Sequence, residues 1–325
     1  MTSRGLRVPL ALSSALVLAV VATIACGTQG SSASSSEASL WKPSAGDRWQ
    51  YQLESSDRGR ASTGGINVGI CQVPFAGGPC VHPDVFDIDL YVDGQVSGND
   101  HTVDRKAVEA IHKRGAHAVC YMSAGTAERF RPDYAEYVAF DKSHHHSLIG
   151  KPFSRRFPNE YWLNLKNGNG QRDFVLRQVR ARTEKCARAG FDAVEYDVVD
   201  AYAQGHKVTG WHVDAHDQLV FDRALARIAH ENGLSVGLKN DIGQVPKLEP
   251  RFDFAINEQC FEYRECTNNP SPGYKAFTRA GKPVFQVEYE IPPRRFCPDA
   301  KRLGIDSIKK ASDFSLNAKP WKPCR

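Results

Sequence analysis

The stretch Gly190-Phe191-Asp192-Ala193-Val194-Glu195-Tyr196-Asp197-Val198-Val199-Asp200-Ala201-Tyr202 decides how the chain is read. It is a short apolar run after a long helical pattern, and four carboxylates fall within nine of its residues. Glu195 and Asp197 alternate with apolar side chains, which puts both on one face of a β-strand. Carboxylates at the end of a strand fed directly by a helix are costly to bury, so they read as a site rather than as architecture.

The same grammar extends in both directions. Residues 171–189 carry a helical pattern that stops at Gly190, and a strand over 192–199 follows. A second helix over about 216–232 stops at Gly233 and hands over to a strand at 234–240. Residues 252–259, 283–289 and 306–310 add three strands, the last two preceded by helical stretches ending at Gly281 and Gly304. Upstream, 49–53 and 67–73 alternate as strands do, and 85–92 places Asp87, Asp89 and Tyr91 on one side. Asp104 caps a helix through Ile111 that stops at Gly115, and 118–123 is an apolar strand. Residues 126–170 read as a long loop carrying Pro132, Pro152 and Pro158. Strand starts at 49, 85, 118, 192, 234, 252, 283 and 306 predict the eight parallel strands of a (β/α)₈ TIM barrel. Residues 54–84 are then an insertion within a single domain over 41–325. An open doubly wound sheet competes, but no glycine-rich phosphate loop follows any strand.

The first 26 residues stand apart. Arg4 and Arg7 precede an apolar run ending in Thr23-Ile24-Ala25-Cys26-Gly27, the order of an export signal with a cysteine at the cleavage point. Lipid attachment at Cys26 is expected, with plain secretion as the alternative. Residues 27–40 form a serine- and glycine-rich tether. Without residues 1–26 the chain holds 40 basic and 37 acidic residues, a balance that disfavours a nucleic-acid partner. Membrane contact is expected only through the lipid, on the outer face of a bacterial cell, and the protein is expected to act as a monomer. Eight further cysteines suit an oxidising compartment. Spacing favours Cys71–Cys80 and Cys260–Cys266, leaving Cys120 with Cys186 and Cys297 with Cys324, although sequence does not fix the connectivity.

Chemistry in such a barrel sits where strands end. Asp89, Glu195, Asp197, Lys239, Asn240, Glu258 and Glu288 stand at those ends. Crowded acids suit glycosidic hydrolysis, which needs one carboxyl to protonate the leaving oxygen and another to attack or stabilise the anomeric carbon. Tyr121, Trp162, Tyr196, Tyr202, Trp211 and Tyr289 are aromatic candidates for stacking on sugar faces. His144-His145-His146 reads as a solvated loop, and His212, Asp214 and His216 as substrate lining or a helix cap.

Trp49-Gln50-Tyr51-Gln52-Leu53, Asp87-Ile88-Asp89-Leu90, Cys120-Tyr121-Met122-Ser123-Ala124-Gly125, Glu128, Arg131-Pro132-Asp133, Tyr161-Trp162-Leu163, Phe191 to Asp197 with Asp200 and Tyr202, Gly237-Leu238-Lys239-Asn240, Asn257-Glu258-Gln259-Cys260 and Glu288-Tyr289 occur in one order and spacing. In these the chain resembles glycoside hydrolase family 114, endo-α-1,4-polygalactosaminidase-like barrels, over about residues 41–311. The resemblance implies Asp197 as nucleophile and Glu258 as acid/base. It implies substrate contacts from Asp89, Tyr121, Glu195, Asp200, Tyr202, Lys239, Asn240 and Glu288. The substrate implied is a partly deacetylated galactosaminogalactan, cut within the chain without metal or organic cofactor. Val198 stands where the family carries asparagine, and 54–84 is longer than the family's first connection. A sugar-binding lipoprotein that keeps the barrel without its chemistry is the alternative function.

Overall fold

The computed structural model describes residues 40–55, 61–97, 101–268 and 273–325, which lie in one compact unit, Leu40–Arg325. Residues 1–26 with Cys26, and all but the last residue of the tether, lie outside the described residues.

Its frame is eight parallel strands in sequence order: β1 (Trp49–Tyr51), β2 (Val85–Asp89), β3 (His117–Ser123), β7 (Ala193–Asp197), β8 (Ser235–Lys239), β9 (Phe254–Glu258), β10 (Val284–Glu288) and β11 (Asp306–Lys309). A short antiparallel strand, β12 (Lys322–Pro323), follows β11. The eight expected strand starts are thus found within two residues, and the fold is a (β/α)₈ barrel. The seam between β11 and β1 is bridged by side chains. The Trp49 indole donates to the Asp306 carbonyl (3.0 Å), the Trp321 indole to that of Trp49 (2.9 Å), and Gln50 to that of Ala318 (2.9 Å).

Strand alternation assigns the two faces. Outward residues such as Phe86, Ile88, Cys120, Val194 and Tyr196 are buried beneath the surrounding layer. Tyr196, a stacking candidate on sequence grounds, instead meets the hydroxyl of Thr183 at 2.8 Å on the helix Gln171–Ala189, and the Cys120–Cys186 disulfide ties β3 to the same helix. That helix stops at Gly190, whose φ of 93° only glycine adopts without strain. The helix Ala215–Glu231 starts at a capping box in which Asp214 accepts the amides of His216 and Asp217; Asp214 is therefore a cap.

Two expectations are corrected. Residues 67–73 form no strand; the insertion holds a 3₁₀ turn (Ala61–Thr63) and one bridge, Gln72 to Val81, beside the Cys71–Cys80 disulfide. Its polar alternation lacks a partner strand, and a disulfide does the holding. Residues 126–170, read as loop, carry an antiparallel sheet of β4 (Thr126–Glu128), β6 (Glu160–Leu163) and β5 (Ile149–Pro152), plus the helix Tyr134–Ser143. These strands are too short to show periodicity. Cys260–Cys266 and Cys297–Cys324 complete the four disulfides, with the connectivity that spacing favoured.

Candidate active site

At the C-terminal end of the barrel, Lys239 on β8 lies under the ends of β7 and β9. Its side chain is 1% exposed and its Nζ meets Asp197 Oδ1 at 2.9 Å, Glu195 Oε1 at 3.1 Å and Glu258 Oε2 at 3.3 Å. One cation thus serves three carboxylates. Glu195 is sealed at 0% exposure, whereas the side chains of Asp197 and Glu258 are 19% and 28% exposed, so these two acids face the cleft. Because both approach one nitrogen, their nearest oxygens lie no further apart than the two contacts laid end to end, about 6 Å.

Each exposed acid is also held by a tyrosine. Tyr121 donates to Asp197 Oδ2 at 2.8 Å, and Tyr289 donates to Glu258 Oε1. Burial alone would raise the Asp197 carboxyl; Lys239, Tyr121 and the Val198 amide outweigh it and hold the group below the ordinary aspartate range. Burial would lower the Lys239 ammonium, but Asp197, Glu258 and Glu195 raise it well above its usual value. A charged lysine and an ionised aspartate follow. Beneath them Glu195 accepts from Tyr51 at 3.1 Å, and burial raises its carboxyl. Asp87, buried on β2, is pushed well up by burial and by Glu195.

Backbone geometry aims the acids. Val198, Asn240 and Gln259 directly follow the ends of β7, β8 and β9, and all have positive φ: 60°, 47° and 63°. For β-branched Val198 this is strained, a cost that clusters at functional sites. Gly125 makes the turn possible, since a Cβ there would lie 1.8 Å from the Val198 carbonyl oxygen. Asn240 accepts the Glu258 amide (3.1 Å) and the Asn257 carboxamide (3.2 Å), coupling β8 to β9.

The cleft has two lobes that share Asp200, Gln204, Asn240 and Glu258. The first, about 720 Å³, holds Asp197, Tyr121 and an aromatic wall of Phe130, Phe153, Phe157 and Phe314. The second, about 490 Å³, is lined by Tyr202, Asp241, Tyr263 and Glu265. Tyr202 donates to Asp241 at 2.9 Å, and burial pushes that aspartate up to about 7.

Of the residues expected from sequence, Asp197, Glu258, Tyr121, Asp200, Tyr202, Asn240 and Asp89 line the cleft, while Lys239 and Glu195 form its floor. The Asp89 carboxylate is engaged by Arg131 at 2.9 and 2.5 Å. Glu288 lines neither lobe. It is fully buried, accepts from the Phe261 amide (2.9 Å) and Gln286 (2.7 Å), and holds the turn after β9. Sequence reasoning missed Tyr51, Glu160 and the aromatic wall. Tyr51 and Glu160 adjoin or belong to quoted motifs, while the wall comes from scattered residues with no common spacing. Among the described residues no group of His, Cys, Asp or Glu is arranged to hold a metal, and His146 pairs with Asp141 at 2.9 Å.

The profile of Glycoside-hydrolase family GH114 matches residues 30–321. A crystal structure of Aspergillus fumigatus Ega3 in complex with galactosamine superposes with a TM-score of 0.63 at 25% identity, covering 86% of this chain and 95% of that one. The glycoside hydrolase domain of PelA from Pseudomonas aeruginosa gives 0.48 at 13% identity, covering 72% and 88%. No curated protein matches. A strand-end carboxylate pair on this barrel, matched over nearly its whole length by one profile, places the chain in glycoside hydrolase family GH114.

Proposed function

We propose that the protein is an endo-acting hydrolase of α-1,4-linked galactosamine-containing polysaccharide, with Asp197 as nucleophile and Glu258 as acid/base. The observation that carries this reading is the shared Lys239 contact, which brings two cleft-facing acids within about 6 Å. That ceiling on the nearest oxygens is compatible with the retaining class, whose carboxyl groups lie about 5–5.5 Å apart. Lys239 and Tyr121 keep Asp197 ionised for attack on the anomeric carbon. Glu258 gives its proton to the leaving oxygen and then takes one from the water that releases the sugar. Two lobes meeting at Glu258 suit a chain lying through the site, as cutting within a polymer requires. The galactosamine complex of Ega3 supports an amino-sugar substrate. Four disulfides agree with an exported enzyme, and we extend this to lipid anchorage through Cys26.

The test is to incubate residues 41–325 with α-1,4-polygalactosamine and follow the first products by NMR. Released oligosaccharides with α-configured reducing ends are expected. A β-configured first product would overturn retention, and binding without products would leave the sugar-binding lipoprotein.

A further inference from the structure

Glu160, at the start of β6, is a cleft carboxylate that the chemistry above does not use. It lines the first lobe together with Asp197 and Tyr121. The β4–β6 pairing sets Glu160 opposite Glu128 and Trp162 opposite Thr126. Thr126 Oγ1 reaches Glu160 Oε2 at 3.4 Å and Ser123 Oγ at 2.5 Å, and Ser123 is the register partner of Asp197. A chain of two hydroxyls therefore ties this carboxyl to the strand beside the nucleophile.

Its neighbours are matched by cations and it is not. Asp89 and Glu128 contact Arg131, and Asp133 contacts Arg182. Glu160 has no ion-pair partner among the described residues, and its side-chain hydrogen bond is the long one from Thr126. Burial, then repulsion from Glu128 and Asp197, pushes its carboxyl up to about 8, with Arg131 and Thr126 offsetting part of that rise. The fold leaves this carboxyl in the cleft wall short of positive charge.

We propose that Glu160 is the specificity residue that selects a free amine over an acetamide on the sugar whose anomeric carbon Asp197 attacks. This rests on the amino-sugar reading of the cleft. The nitrogen of such a sugar sits on the carbon next to the reacting one, within reach of a carboxyl that lines the same lobe as Asp197. An ammonium supplies the missing charge in a charge-assisted hydrogen bond. An acetamide supplies no charge to ionise this carboxyl and adds bulk where the ammonium would sit, so acetylated sugar binds less well at this position.

Calorimetric binding of an α-1,4-galactosamine oligomer and of its N-acetylated counterpart of equal length, to wild type and to Glu160→Gln, tests this without requiring turnover. Wild type is expected to prefer the amine. Glu160→Gln is expected to lose about tenfold or more of its affinity for the amine oligomer while binding the acetylated one no worse. Glu160→Ala, with melting curves on both variants, guards against misfolding and is expected to shift the preference in the same direction. A wild-type preference retained in both variants overturns the assignment and leaves the amino-sugar reading standing. Wild type that binds neither oligomer, or prefers the acetylated one, overturns both.

Discussion

Two acid-rich clusters lie side by side at the C-terminal end of this barrel, and they differ in their charge balance. Around Arg131 and Arg182, three carboxylates (Asp89, Glu128 and Asp133) meet two guanidinium groups in multiple hydrogen bonds, and Arg182 also donates to the Ser123 carbonyl at 3.1 Å. Around Lys239, three carboxylates share one ammonium, and a fourth acid, Asp87, sits against Glu195. In the first cluster the cations are buried and nearly saturated. In the second the cation is buried and two of its acids open to the cleft. The number of strand-end carboxylates therefore does not identify a site; an unfilled charge deficit facing open space does.

This contrast can be broken at either end. Arg182→Met removes a buried cation from the balanced cluster and leaves Asp133 without its partner, which is expected to cost about 3–5 kcal/mol of stability in chemical denaturation. Turnover per folded molecule should change little. A large loss of turnover with little loss of stability would show that the cluster is not architectural. Lys239→Met is expected to lower kcat about a hundredfold and to cost stability as well, because it leaves the sealed Glu195 without its cation. With the ammonium gone the Asp197 carboxyl protonates more readily, so the acid limb of the kcat/KM profile should move to higher pH. An unmoved limb would separate Lys239 from the ionisation of Asp197.

The pH dependence of stability sharpens the same distinction. Asp133 is held low because Arg182 outweighs its burial. Asp241 and Glu288, raised by burial to about 7, and Glu160, raised to about 8, have no such partner. Between pH 5 and 8 the folded protein holds protons on these groups that the unfolded chain has already released, so stability should fall as pH rises, by on the order of 1 kcal/mol per pH unit. Lys310, which burial lowers to about 7, acts in the opposite sense above that pH and offsets only part of the decline. Melting temperatures across that range check the sign, and a rise from pH 5 to 8 would contradict it. Smallest of all, Val198→Asn should stabilise the fold by about 1 kcal/mol, because asparagine tolerates the left-handed backbone that valine occupies under strain.

The barrel was legible because several of its strands are compact runs that follow a glycine-ended helix, as after Gly190, Gly233 and Gly304. The catalytic candidates were legible because strand ends can be counted. The antiparallel sheet of β4, β6 and β5 was not, since three- and four-residue strands leave no period to detect, and Glu160 was hidden with it. Glu288 misled for a related reason: position at a strand end says nothing about whether a side chain turns into the cleft or, as here, back toward the amide of Phe261. Nor could the role of Asp89 be read, because its partner Arg131 lies 42 residues away.

The pairing of Asp197 with Glu258 is tested most directly by the rate at which oligosaccharides leave α-1,4-polygalactosamine with wild type, Asp197→Asn and Glu258→Gln at equal folded concentration. Each substitution is expected to lower kcat by about a thousandfold while the melting temperature stays near that of wild type. Either variant turning over at a rate close to wild type would contradict the account.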